Sequence, residues 1–198
     1  YRMHPAISDF PNRTFYEGKL VDGIAAADRP NPAGLLWNDW EVPIAFLPVN
    51  GDEILSADGA SKENPSEAGW AARILESLLE PGDLNQSDIG IITPYAGQVR
   101  AIRDALPERN DSVEVHTVDG YQGREKEVII FSCVRSNPDG NVGFLADPRR
   151  LNVALTRAKR GLIVIGDPDT LRNDETWASW LEHIRSRNLE AWHILGMA

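Results

Sequence analysis

Cysteine is all but missing from this chain: Cys133 is the one thiol in 198 residues. One cysteine cannot close an internal disulfide, so the fold does not need an oxidising compartment, and a reducing intracellular setting, cytoplasm or nucleus, is expected. Long apolar runs are missing too. No stretch reaches the roughly 18 apolar residues of a membrane-spanning helix. The amino end, YRMHPAISDF, lacks the basic and apolar regions of a signal peptide and does not begin at Met, so the chain reads as a piece of a longer protein. His4, His116, His183 and His193 share no metal-ligand spacing and have no cysteine cluster beside them, which leaves no zinc site. There is no G-x-S-x-G elbow. There is also no G-x-x-x-x-G-K-[ST] phosphate loop, and no Asp-Glu pair placed after a strand. A stand-alone nucleotide-binding enzyme is therefore a poor reading.

Positive charge is in short supply: 20 Lys and Arg stand against 30 Asp and Glu, a net charge of −10. That balance argues against a generic basic nucleic-acid binder. The distribution is uneven, however. Residues 89–165 carry 11 basic against 9 acidic side chains, and the remainder 9 against 21. A local groove that accepts an anion is therefore allowed in the less acidic part. What the chain does have is an ordinary globular composition, 42% apolar and 25% charged, enough to bury a full core as one domain over 1–198.

The pattern is organised around Arg149–Asp167, RRLNVALTRAKRGLIVIGD. Leu151, Val153, Ala154, Leu155 and Ala158 have the spacing of a helix with one buried side. Leu162–Ile165 is a short apolar run of the kind buried on both faces of a parallel sheet. Elsewhere Pro5 starts a helix, Ile24–Trp40 reads as an irregular loop, and Val42–Val49 as the first core strand. Gly51–Asn64 reads as a polar loop anchored by core-facing Ile54 and Leu55, so that 24–64 forms an irregular variable segment. Ser66–Glu80 and Tyr95–Leu106 read as helices, with strands at Ile89–Thr93, Val113–His116 and Val128–Val134. A helix over about Thr176–Arg187 and a last strand near Ala191–Leu195 follow. Strands alternating with helices predict an α/β domain with a mostly parallel sheet. Ligands of such sheets meet the loops at the carboxyl ends of the strands.

Several segments bear chemistry. Thr156, Arg157, Lys159 and Arg160 place a hydroxyl and three cations just before a core strand; the pattern suits either a basic helix face in solvent or a guanidinium held for phosphoryl transfer. In Thr117–Glu125, TVDGYQGRE, Gly120 and Gly123 permit close backbone approach, Thr117 and Gln122 offer polar groups, and Glu125 can accept from a ribose hydroxyl; a plain glycine turn fits as well. Thr93-Pro94-Tyr95 joins a strand to a helix start, where a cap or a bound phosphate is equally at home. Arg135-Ser136-Asn137 ends a core strand with hydrogen-bonding side chains. Tyr1-Arg2 offers an aromatic plate and a cation, or a frayed end. The six tryptophans are read as packing residues.

Read in order, YRMHP…FPNRTFYEGKLVDG, IGIITPYAGQ, VEVHTVDGYQGREKEVIIFSCVRSN and GFLADPRRLNVALTRAKRGLIVIGD resemble the second RecA-like domain of superfamily 1 helicases of the up-frameshift or senataxin-like type. The resemblance implies a three-layer α/β/α RecA-like fold without its own phosphate loop. It also implies ATP with Mg2+, the metal held by a first RecA-like domain of the same parent. Arg157 would be the arginine finger, joined by Arg2 on the γ-phosphate; Tyr1 would stack on adenine and Glu125 would lie near the ribose. Thr93, Pro94, Tyr95, Thr117, Val118, Arg135, Ser136 and Asn137 would face a single strand of RNA or DNA, mostly its backbone. Gln98 receives no role. Tyr121 stands where Phe is frequent and Glu127 where Asp is frequent. The parent would then be a 5′-to-3′ ATP-dependent translocase. The alternative is a non-catalytic nucleic-acid or protein interaction module from a degenerate helicase.

Overall fold

The apolar runs expected as strands form a five-stranded sheet in the computed structural model of the chain, which describes residues 3–196. In chain order the elements are α1 (Pro5–Phe15), β1 (Ile44–Pro48), β2 (Ile54–Leu55), β3 (Lys62–Glu63), α2 (Pro65–Leu79), β4 (Ile89–Thr93), α3 (Ala96–Ala105), β5 (Glu114–Thr117), β6 (Lys126–Ser132), α4 (Pro148–Leu155), β7 (Ala158–Gly166), α5 (Pro168–Leu171) and α6 (Glu175–Ser186). The order across the sheet is β1-β7-β6-β4-β5, every pairing in it parallel, while β2 and β3 make a separate antiparallel hairpin.

Alternate side chains of each strand feed opposite cores, as period-two geometry requires. Ile129, Phe131, Leu162 and Val164 join α1, α4 and α6, around Phe10, Leu151, Trp177 and Trp180. Val128, Ile130, Ile163 and Ile165 join α2 and α3, around Leu75, Leu78 and Ile102. Both faces are thus covered, which is why these strands read as unbroken apolar runs. The chain leaves the neighbouring strands β4 and β6 toward helices on opposite faces, α3 and α4, and so opens a crevice at their carboxyl ends.

The link from β5 to β6 contains no α-helix and crosses the sheet face over β4. Tyr121 lies on Gly90 there: a Cβ on Gly90 would come within 2.3 Å of the Tyr121 hydroxyl. The sheet margins are occupied as well. Phe46 of β1 donates its N–H to Leu189 O and accepts from Ala191 N–H. At the other margin Arg103 donates to the Val115 carbonyl at 2.9 Å.

Four sequence expectations are corrected. Residues 192–195 form turns, not a strand; Glu190 makes only an isolated bridge to Phe46, because the bonds from Ile194 N–H to Ala191 O and from Gly196 N–H to His193 O turn the chain away from β1. Ile54 and Leu55 are 45% and 64% exposed, since their hairpin projects from the sheet. The organising helix stops at Leu155, and Ala158, Lys159 and Arg160 already belong to β7, whose inward positions need only small or apolar residues. Finally, 24–64 is not irregular throughout, because it contains β1 and the hairpin. Of the tryptophans, Trp37, Trp177 and Trp180 are buried, while Trp40 and Trp192 are mostly exposed.

Candidate functional site

The chemistry-bearing segments gather at the two ends of the strands. At the carboxyl ends stand Thr93-Pro94-Tyr95 after β4, Thr117-Val118 after β5 and Arg135-Ser136-Asn137 beyond β6. At the amino ends of β6 and β7 stand Glu125 and Arg157, with the Lys159 ammonium 3.9 Å from the Glu125 carboxylate. Tyr1 and Arg2 lie outside the described residues. The residue after next, His4, donates its backbone N–H to Lys159 O, near the start of β7.

Arg157 lies between Thr156, which caps α4, and Ala158, the first residue of β7. It is half-buried. One guanidinium nitrogen donates to the neighbouring Thr156 hydroxyl at 3.2 Å, and the buried Nε has no partner. Among the described residues it has no carboxylate within ion-pair distance, whereas Lys159 pairs with Glu125 and Arg160 with Asp83 and Glu127. A guanidinium left this way can engage an anion without first breaking an ion pair. No group of acidic, His or Cys side chains able to hold a metal occurs among the described residues.

The segment Arg135–Asn137 is held by a residue that the sequence does not advertise. Glu53, at the root of the β2–β3 hairpin, accepts from Arg135 Nε at 2.8 Å, Ser136 N–H at 2.9 Å and Asn137 Nδ2 at 3.0 Å, and pairs with Lys62 at 3.0 Å. Burial alone would raise its pKa, but the bonds from Arg135, Asn137 and Lys62 hold the carboxyl down at about 2. Arg135 also donates to the Tyr95 hydroxyl at 3.0 Å. Ser136 donates to Asp167 at 2.8 Å, and Asn137 N–H to Thr170 at 3.0 Å. Thr93, Pro94, Tyr95, Val118, Arg135 and Ser136 are buried; Thr117 and Asn137 are partly exposed. Thr93 Oγ1 is buried without a partner, and Thr117 Oγ1 accepts from Gly120 N–H at 3.3 Å.

Beneath this layer lies a second polar group. Glu67, wholly buried in the first turn of α2, accepts from Ser132 Oγ at 2.6 Å and from Val134 N–H at 2.8 Å. Burial pushes its pKa up to about 8, against the bonds from Ser132 and Val134. Gln98, left without a role above, accepts from Asn64 N–H at 2.7 Å and donates to Asn64 O and Ser132 Oγ, both at 3.0 Å. Val134 sits at φ +73°, a conformation rarely taken by a β-branched residue. Asn64 Nδ2 donates to its carbonyl at 3.0 Å, so the turn is held from both sides. The strained turn aims Arg135–Asn137 at the strand end.

A family model described as an AAA domain matches residues 1–169. Regulator of nonsense transcripts 1 of Dictyostelium discoideum is 43% identical over 196 residues, covering 96% of this chain and 15% of that protein. Its homolog in Neurospora crassa is 44% identical over 195 residues, 94% of this chain and 18% of that protein. ATP-dependent helicase NAM7 of Saccharomyces cerevisiae is 43% identical over 196 residues, 94% of this chain and 20% of that protein. The chain thus spans no more than a fifth of the length of these relatives. A solved structure, the C-terminal domain of a possible DNA helicase from Lactobacillus plantarum WCFS1, has 14% identity and a TM-score of 0.49 over 89% of this chain and 96% of that one, too slight a likeness to build on.

Proposed function

The chain belongs to the AAA domain family, as a C-terminal helicase domain of the up-frameshift type, and from that premise we propose that it is half of an ATP-driven motor on single-stranded RNA or DNA. The observation that carries this reading is Arg157, a half-buried guanidinium with no carboxylate partner among the described residues, at the amino edge of β7.

In this reading ATP supplies the phosphoryl group transferred to water, and its magnesium is held by carboxylates of another RecA-like domain of the parent. Arg157 reaches across the interdomain cleft and spreads its planar donors over the oxygens that gain charge in the transition state. Glu125 lies on the same edge, with an oxygen free to accept from a ribose hydroxyl. Tyr1 and Arg2, carried by the segment that precedes α1, complete the nucleotide side. Thr93–Tyr95, Thr117-Val118 and Arg135–Asn137 form this domain's share of the strand track at the opposite edge. Asn137 and Thr117 present polar groups there, and Arg135 holds the loop in shape through Glu53 and Tyr95. An acidic domain can still grip a strand in this way, because a few placed donors suffice in a channel that a partner domain completes. Movement is 5′ to 3′, and the setting is intracellular.

The test is ATP turnover by the full-length parent, with and without a single strand. An arginine finger is worth about 10³ to 10⁵ in rate. Arg157→Ala is expected to abolish strand-stimulated turnover while the melting temperature stays put, and Arg157→Lys to fail as well, since a point charge lacks the fork. Loss of folding in Arg157→Ala, or turnover undiminished, refutes the finger. Absent turnover in the wild type, with strand binding intact, favours an interaction module instead.

A further inference from the structure

We propose that the groove between the β2–β3 hairpin and the turn at Gly143–Ala146 receives one base of the single strand, seated against Phe144 and covered by Leu55. The inference rests on the strand-track reading above and adds a base site to what would otherwise be contacts to the backbone.

The groove has a volume of about 330 Å³ and is lined by Leu55, Ser61, Lys62, Tyr95, Arg135 and Phe144 among others. Its two large apolar side chains face solvent: Phe144 is 53% and Leu55 64% exposed. Exposed apolar groups brought together on a surface mark a contact site more often than isolated ones do. Phe144 is also fixed. Its ring stacks on Tyr95, with centroids 4.9 Å apart and planes 17° from parallel. Its N–H donates to the Tyr95 hydroxyl at 3.1 Å, the same oxygen that accepts from Arg135. The preceding Gly143 has φ +52°, and a Cβ there would fall 1.8 Å from Arg135 Nη1. An aromatic plate held this way loses little conformational freedom on binding.

The surroundings select the occupant. Tyr95 and Arg135 belong to two of the carboxyl-end segments, so the groove continues the proposed track rather than opening a new surface. The Arg150 guanidinium lies 5.2 Å from the Phe144 ring centre and is held by Asp119, and Lys62, which also lines the groove, is held by Glu53. A nucleotide strand presents a flat π-face between two phosphates. With both cations already neutralised, the element the groove leaves free is its aromatic plate beside the proposed track, which matches the π-face of a base.

The experiment uses the full-length parent and two strands of equal length, one with bases and one abasic. Stacking of one base predicts that Phe144→Ala weakens the base-bearing strand about 5- to 100-fold and leaves the abasic strand unchanged. Leu55→Ala should do the same to a smaller degree, and Phe144→Trp, which keeps a plate, should hold affinity near wild type. Equal losses on both strands, or no loss on the base-bearing one, overturn the base site while leaving the track intact. If the wild type binds neither strand, the track reading falls and the base site with it.

Discussion

At the scale of single residues, the tight points of this fold are polar atoms that burial has left alone. Tyr121 is wholly buried against Gly90, its hydroxyl has no partner among the described residues, and burial pushes its pKa well above the ordinary tyrosine value. An unsatisfied buried hydroxyl costs more than its removal, so Tyr121→Phe should leave stability unchanged or raise it by about 1 kcal/mol, read from denaturant midpoints at constant slope. A loss of more than that would mean that the hydroxyl has a partner in solution. Tyr121 could be noticed in the sequence as a departure from a common Phe, but its missing partner could not. The same limit hid Glu53, Glu67 and Gln98. Glu53 reads as one acid among several in a polar loop, and its partners at Arg135–Asn137 lie more than 80 positions away. Glu67 reads as an ordinary acid in a helix's first turn, and only packing shows that no water reaches it.

At the scale of elements, period and punctuation were informative wherever the cores decide the outcome. Ser66–Glu80 was legible because Pro65, Glu67 and the alanine-leucine stripe agree, and the helix spans Pro65–Leu79 with Asn64 as its cap. The β7 start was not legible, because Ala158, Lys159 and Arg160 suit a helix end as well as a strand; pairing of Lys126 with Ala158 decides it. Nor was the hairpin at Ile54–Leu55 and Lys62–Glu63, whose strands are too short for periodicity to register. The turn at Gly143 is the element most sensitive to one methyl group. Gly143→Ala meets both a positive φ and the Arg135 guanidinium, whereas Gly123→Ala meets a positive φ with open space around it. Gly143→Ala should therefore cost about 1 kcal/mol or more beyond Gly123→Ala in thermal unfolding, and equal costs would show that the Arg135 side chain yields freely.

At the scale of the whole molecule, two carboxylates, one half-buried and one wholly buried, shape the pH dependence in opposite directions. Glu53 has its pKa depressed to about 2, so its contribution is present above the unfolded value near 4.5 and is lost as pH falls toward 2. Glu67 has its pKa raised to about 8, so the folded state holds a proton that the unfolded chain releases, and stability declines as pH rises from about 4.5 to 8. Urea unfolding of the wild type across that range should show the decline, and Glu67→Gln should flatten it; an unchanged slope in the variant would assign the decline to other groups. The α/β architecture and the grouping of motifs at strand ends were readable from alternating runs alone, because both depend on local pattern. The acidic overall balance was readable too, but not that most cations at the strand track are already paired.

Each margin of the sheet spends bonds outside it, β1 on the chain at Leu189–Ala191 and β5 on the Arg103 side chain at the Val115 carbonyl. Lateral growth by strand addition, the common route to domain swapping and fibrils, would first have to break those bonds. In the proposed motor, a partner domain meets the loops at the strand ends instead. A domain that joins its neighbours only by its loops can hinge against them without unzipping a single strand.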